Sequence, residues 1–438
     1  MSNKKTKGKN KKNNYYMNSK KNNIQYKKIS TIKSKKKKKS SIDILIIILL
    51  IILVILLIQV PFGLKKDKKP VKELDPSYVG VTMSDIEALE NNIKNDLIYE
   101  KEISMVMVGD ALIHQSIYQD AYKNGKYDFT KMLSRVKPII SKYDLAYYNQ
   151  ETILGGAELG VSTYPRFNSP YEVGDAFRDA GFNVVSLANN HTLDRGKQAI
   201  INSTNYWKKY PKVLVAGSYG SQSDRDKVQI FEKNGITYTM LSYTTDTNGL
   251  RIPNGETYLL NVYNENTIKK DIEKVRSKVD LLIVAMHWGQ EYTNTPVKEQ
   301  RNIANYLASL GVDIIIGCHP HVIEPMTFID NTLVIYSLGN FISSQNTVNQ
   351  RTGLMASVKI KKIYKEGKTY ISLEDVTARL VYTYYKNTVP RVNYMIYPYE
   401  QLNNDILSNY KTHYNTYMNI ATGGDKKIQK YPLNPWNI

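Results

Sequence analysis

From residue 103 onward, short apolar runs alternate with stretches of helical period, and few architectures tolerate that order. "ISMVMVGD", "LAYYNQE", "NVVSLANNH", "VLVAGS", "LLIVAMHWG" and "VDIIIGCHPH" read as strands. Between them "FTKMLSRVKPIISKYD", "YEVGDAFRDAGF", "RGKQAIINSTNYWKKY", "NTIKKDIEKVRSKVD" and "VKEQRNIANYLASLG" carry the helical spacing. Strands apolar on both faces belong in a parallel sheet covered by helices. Hairpin-like additions interrupt the order: "VQIFEKNGITYTMLSYT" turns at Asn234-Gly235, and "TLVIYSLGNF" and "LMASVKIKKIYKEGKTYISLEDVTARLVYTYY" return to β. The expected fold is α/β, a two-layer β-sheet sandwich flanked by helices. No internal repeat of 20 to 50 residues is visible.

Charge separates the N-terminal segment from the rest. Residues 1–40 hold 16 lysines and no acid, so they account for +16 of a net +20 and offer almost nothing to bury. The stretch 42–64 is apolar except for Asp43, Gln59 and Gly63, and its 23 residues reach about 34 Å as a helix, enough to span a bilayer. Lysines stacked before such a stretch follow the positive-inside pattern rather than that of a nucleic-acid tail, and only Lys65, Lys66, Lys68, Lys69 and Lys72 follow it. We expect a disordered cytoplasmic tail (1–40), an uncleaved single-pass anchor (41–64) and a stalk (65–102). An extracellular domain (103–345) and a β-rich, tyrosine-rich extension (346–438) follow. Beyond residue 64 the balance is 44 basic to 39 acidic residues, a nearly neutral soluble part. The lone Cys318 excludes an internal disulfide and any cysteine-rich zinc cage.

The chemistry-bearing residues gather after the strands. Asp110 and His114 follow the first, Asn149 and Glu151 the second, and Asn189, Asn190, His191 and Asp194 the third. His287 ends a fourth strand, and His319 and His321 follow a fifth. Five of the six histidines therefore sit at strand C-terminal ends, where open α/β sheets bind ligands. His319 and His321 flank Pro320, and an extended backbone there would turn both imidazoles to one face as a metal bidentate. Imidazoles, carboxylates and asparagines without thiolates suit Zn, Mn or Fe, and a pair of such ions needs one bridging carboxylate. Arg166 and Arg195 stand near enough in sequence to assist an anion.

These stretches resemble the CapA family of capsule synthesis, a membrane-anchored component associated with poly-γ-glutamate production whose domain is similar to calcineurin-type metallophosphatases. "VGDALIH", "NQETIL", "FNVVSLANNHTLDRG", "HWGQEY", "GCHPHVIEP" and "YSLGNF" carry the resemblance over residues 103–345. It implies two divalent ions. Asp110 takes the first-metal aspartate position, His114 its companion, Glu151 the bridge and Asn190 the ligand asparagine. His287 takes the lone histidine position, His319 and His321 the closing pair, and His191 the catalytic histidine. Asn149, Asn189, Asp194, Arg195 and Glu291 are expected to meet substrate. Two departures stand out: the interval from Asp110 to His114 exceeds the usual Asp-x-His, and Glu151 stands where an aspartate is usual.

Three functions fit this sequence. One is an extracellular metal-dependent hydrolase or transferase of the phosphoesterase type. The second is a non-catalytic component that holds an acidic polymer such as poly-γ-glutamate beside its membrane synthase. The third is a surface interaction module. Partners follow accordingly: the membrane, capsule synthase components and the polymer, with no nucleic acid.

Overall fold

The computed structural model describes Ser84, residues 99–365 and residues 368–434. The lysine-rich tail, the apolar stretch and, apart from Ser84, the expected stalk up to residue 98 lie outside the described residues. Among those described, no helix is long and apolar enough to cross a membrane.

In chain order the strands are β1 (Tyr99–Ala111), the small hairpin β2 (Tyr122–Lys123) and β3 (Lys126–Tyr127), β4 (Leu145–Asn149), β5 (Val184–Ser186), β6 (Leu214–Ala216), β7 (Phe231–Lys233) and β8 (Ile236–Thr244). There follow β9 (Leu281–His287), β10 (Ile314–Cys318), β11 (Ile323–Ile329), β12 (Thr332–Leu338), β13 (Asn340–Ile342), β14 (Thr352–Lys365), β15 (Lys368–Lys386), β16 (Val392–Pro398) and β17 (Gln429–Lys430). One sheet runs β16-β15-β14-β1-β4-β5-β6, with β13 beside β1 and β17 beside β15. Its β1, β4, β5 and β6 are parallel, and β14 joins β1 antiparallel. The second runs β11-β12-β10-β9-β8-β7, parallel from β12 to β8 with an antiparallel strand at each edge.

The period-2 alternation of the strands explains how the sheets meet. Met105 and Met107 of β1 enter a core that also holds Ile283, Ile314, Ile316 and Ile335 of the second sheet. Val106 and Val108 face the other way, into a layer with Phe177 and Trp207 from the helices Glu172–Asp179 and Gly196–Lys208. On the far side Leu282, Val284 and Ile315 meet Ile268, Ile272, Ile303 and Leu307 of the helices Glu265–Val275 and Lys298–Ser309. The two faces of each central strand thus bury different layers, at about 1.5–3 kcal/mol for each large apolar side chain. Two packed mixed sheets with helices outside match the expected sandwich.

Three local features differ from the sequence reading or extend it, and one follows it. The single helix expected over "FTKMLSRVKPIISKYD" is two short turns, Thr130–Leu133 and Lys137–Ile140, because the Pro138 ring excludes a continuous helix yet suits the first turn of a new one. The hairpin at Asn234-Gly235 forms as read, with both residues at positive φ of 49° and 74°. The C-terminal strands, expected as an extension, continue the first sheet: β14 pairs with β1 from Tyr99↔Tyr364 to Met107↔Ala356. Helix Tyr410–Thr422, unforeseen, buries Tyr417, Met418 and Ala421 in the core between the sheets.

Candidate metal centre

Strand ends from both sheets converge on one buried set of polar groups. β1 contributes Asp110, the residues after β4 Glu151, the turn after β5 Asn190 and His191, the end of β9 His287, and the bend after β10 His319 and His321. Asp110 and Glu151 have no exposure, and the four histidines at most 8 %. Gly109 makes the approach of β1 possible: a Cβ there would lie 1.7 Å from the Gly339 carbonyl oxygen, which accepts the Asp110 amide at 3.0 Å.

Ligand-type atoms fall into two groups whose members lie within 4.8 Å of one another: Asp110, Glu151 and His321, and Glu151, His287 and His319. Glu151 belongs to both. In the second group Asn190 Oδ1 lies 3.0 Å, His319 Nδ1 3.1 Å and Glu151 Oε1 3.7 Å from His287 Nε2. An ion with bonds of about 2.0–2.1 Å in a tetrahedron separates its ligands by about 3.4 Å, so these spacings fit one ion. Asp110 Oδ2 and both Glu151 oxygens are buried without a hydrogen-bond partner, a state that a cation relieves. The other Asp110 oxygen is occupied: Asn149 Nδ2 donates to Oδ1 at 2.8 Å, while Asn149 Oδ1 accepts from Ser186 Oγ at 2.7 Å, which fixes the amide.

The backbone of the His-Pro-His segment is not extended. His319 and His321 have φ of 99° and 59°, in the left-handed region that residues with a Cβ seldom adopt. The two imidazoles accordingly enter different groups rather than forming one bidentate. Burial of the surrounding polar groups outweighs the local preference set by Pro320, and strain of this kind is concentrated at functional sites. Asn340, at the start of β13, fixes the His321 ring. Its Nδ2 faces the His321, Gln345 and Gln350 acceptors at 3.2, 2.7 and 2.9 Å, so its Oδ1 accepts from His321 Nδ1 at 3.1 Å. That leaves Nε2 toward Glu151, 3.7 Å away, the arrangement of a ligand histidine anchored through its second nitrogen.

Electrostatics follow from burial and crowding. Burial, then the Asp110 charge, pushes Glu151 well above the usual carboxylate range. Burial also lowers His321, but Glu151, Asp110 and Glu291 outweigh it and hold this imidazole up at about 9. Burial and the neighbouring His321 bring His319 down to about 4, and burial with the surrounding histidines pulls His287 well below its ordinary value.

The remaining expected residues divide by what their polar atoms already hold. His191 Nδ1 lies 2.7 Å from Asp194 Oδ2, which also accepts the Phe167 amide at 2.7 Å; the Phe167 ring stands edge-on to His191. Asn189 is spent on its turn, with Nδ2 on the Gln150 carbonyl and Oδ1 on the His191 amide. Arg195 clamps the carbonyls of Leu159 and Gly160, so its guanidinium serves a loop rather than an anion. Arg166 is exposed. Glu291 is half-exposed, with Oε1 3.8 Å from His321 Nε2. His114 stands outside both groups: Nδ1 lies between the Leu112 carbonyl and the Ser344 amide, burial lowers it to about 4, and its ring packs on Phe167. Cys318 is buried beside Tyr147, and burial pushes its thiol well up, as befits packing.

Sequence reasoning missed Asn340, Asn248 and Tyr292, whose ring lies 6.0 Å from the His321 ring. Asn340 lies inside "YSLGNF", where a lone asparagine gave no sign of facing His321. Asn248 donates to the Asn190 carbonyl at 3.2 Å from a loop with no motif. A cavity of about 530 Å³ beside Trp207, Val215 and Phe231 shares no residue with this centre.

Fold and site together define a two-sheet α/β protein with a buried carboxylate–imidazole centre organised around one shared glutamate. The family model described as bacterial capsule synthesis protein PGA_cap matches residues 104–345, more than half of the chain. The chain belongs to that family. It is 32% identical over 186 residues to the PGA biosynthesis protein CapA of Bacillus subtilis (strain 168), covering 42% of this chain and 49% of that one. To the capsule biosynthesis protein CapA of Bacillus anthracis it is 25% identical over 269 residues, 60% of this chain and 64% of the other. The matches thus span about half to two-thirds of these curated relatives. A solved structure, that of TT1561 from Thermus thermophilus, aligns with 62% of this chain and 98% of its own at 7% identity and a TM-score of 0.34, too slight a likeness to argue from.

Proposed function

We propose that this chain is a membrane-anchored, extracellular component of capsular poly-γ-glutamate synthesis or export, and that its centre holds two divalent ions for hydrolysis or transfer at an oxyanion substrate. The observation that carries the reading is Glu151: buried, without a hydrogen-bond donor on either oxygen, and common to both ligand groups. Asp110, Glu151 and His321 would hold one ion, and Glu151, Asn190, His287 and His319 the other. When bound, such a pair supplies positive charge that polarises an oxyanion and acidifies water. Names of the relatives support the capsule context, and the lysine-flanked apolar stretch 42–64 supports the anchor.

The protein's own groups do the rest. Asn149 and Asn340 orient Asp110 and His321. Asp194 holds His191 Nδ1 and leaves Nε2 as the nitrogen that moves a proton to or from the substrate, the role of a general acid–base. The test compares wild type, His319→Ala and His191→Ala for metal content and for capsular polymer output. We expect His319→Ala to lose metal and output, and His191→Ala to keep metal and lose output by about 10²–10⁴-fold. Full output in His191→Ala with loss in His319→Ala would replace catalysis by polymer holding. Full output in both would leave only an interaction module.

A further inference from the structure

Tyr292 is the residue this centre leaves without a structural explanation. It is bulky, yet it sits at φ 66°, and half of it (51%) is exposed. A strained aromatic turned to solvent is not there to fill a core. What holds it is the centre itself: its amide donates to the Pro320 carbonyl at 2.8 Å, inside the His-Pro-His bend, and its ring lies 6.0 Å from the His321 ring. A chain of hydrogen bonds sets the hydroxyl. Asn340 Nδ2 donates to Gln345 Oε1, so Gln345 presents Nε2 as donor to the Tyr292 oxygen at 3.4 Å. The oxygen accepts, and its hydrogen is left to point elsewhere. The neighbouring group that takes it is the Glu291 carboxylate, whose side chain is 42% exposed.

We propose that the Tyr292 hydroxyl is a substrate contact of the centre, donating its hydrogen to a tetrahedral oxyanion of the phosphate class seated beside His321, while Glu291 swings aside. The inference rests on the two-ion reading above and adds to it the residue that meets the ligand. Glu291 then acts against the ligand: its charge competes for the same hydroxyl and repels the same anion.

The experiment uses the full-length chain in detergent micelles, loaded with manganese, and titrates inorganic phosphate by calorimetry beside a metal assay and thermal unfolding. Wild type should bind phosphate only when loaded. Tyr292→Phe should keep its manganese and its unfolding temperature but bind phosphate about tenfold or more weakly, as loss of a hydrogen bond to a charged group implies. Tyr292→Gly, which relieves the positive φ, should unfold at the same or a higher temperature and still bind weakly, a combination that a structural role forbids. Glu291→Gln should bind more tightly. Phosphate affinity in Tyr292→Phe equal to that of wild type overturns the inference while leaving the two-ion reading intact, as does a loaded wild type that ignores phosphate. A wild type that takes up no metal overturns both.

Discussion

Glu324, three residues beyond His321, offers a test of how burial sets stability in this fold. Its side chain has no exposure; Gln300 Nε2 donates to Oε2 at 2.6 Å, and Oε1 has no partner. Burial pushes the carboxyl up from 4.5 to about 8, with only Gln300 and Arg301 pulling the other way. Because the folded value lies above the unfolded one, the folded chain binds the proton more tightly. Stability is therefore full below about pH 4.5 and is lost as pH rises through about 8. At about 1.4 kcal/mol per unit, the shift corresponds to about 4–5 kcal/mol, of which about 3–4 falls between pH 5 and 8. Glu324→Gln keeps the shape and an acceptor for Gln300 but cannot ionise. In thermal unfolding of the full chain from pH 5 to 9, wild type should lose at least about 6 °C relative to Glu324→Gln, taking about 2 °C per kcal/mol for a large domain. Parallel curves for the two proteins would show that the Glu324 carboxyl is solvated or paired in the fold, and would refute the reasoning.

Four further outcomes follow, three from the geometry and the last from the proposed orientation of the lysine-flanked apolar stretch 42–64. Glu151→Ala, removing the shared carboxylate, should abolish uptake of both ions rather than one; elemental analysis showing one ion retained contradicts the bridge. Metal affinity should rise about tenfold or more per pH unit between 6 and 8, because His321, held at about 9, must give up a proton to bind; flat affinity in chelator competition counts against Nε2 as a ligand. Gly109→Ala should destabilise by about 3 kcal/mol or more, since its Cβ meets the Gly339 oxygen at 1.7 Å and backbone must move; denaturant unfolding unchanged from wild type would contradict that crossing. Protease added to intact cells should degrade the domain and spare the lysine tail, and the reverse pattern inverts the proposed orientation.

The layered fold was legible because its strands are apolar on both faces and its helices are not. Met105 to Val108 could sit only between two covered layers, and the structure puts them there. Position along the chain also located the centre, since parallel strands deliver their C-terminal residues to one edge. What sequence could not show is which way a side chain turns once it arrives. His319 and His321 read as one face of an extended strand, but their positive φ values send them to different groups. Arg195 looked like an anion ligand until its guanidinium was found on loop carbonyls. Asn340 meets His321 across 19 residues and Tyr292 meets Gln345 across 53, and a local pattern carries no record of such distances.

The pairing of β1 with β14 has a consequence for how the protein comes into being. Residues 99–107 find their antiparallel partners at 356–364, and Asp110 meets Asn340 only through β13. A ribosome adding about 5–20 residues each second needs on the order of tens of seconds to cover that interval. Throughout it the first strand has no neighbour on that side, and the aspartate at its tip has no site to join. The centre is therefore a late product of synthesis, joined only once β10 and β13 have followed β1. A chain cut at residue 345, where the family match ends, would carry every proposed ligand and lack β14, the antiparallel partner of β1. Such contacts between distant segments make for slow folding and a long exposure of unpaired edges. Chaperone protection of the nascent chain would matter most before residue 365 has emerged.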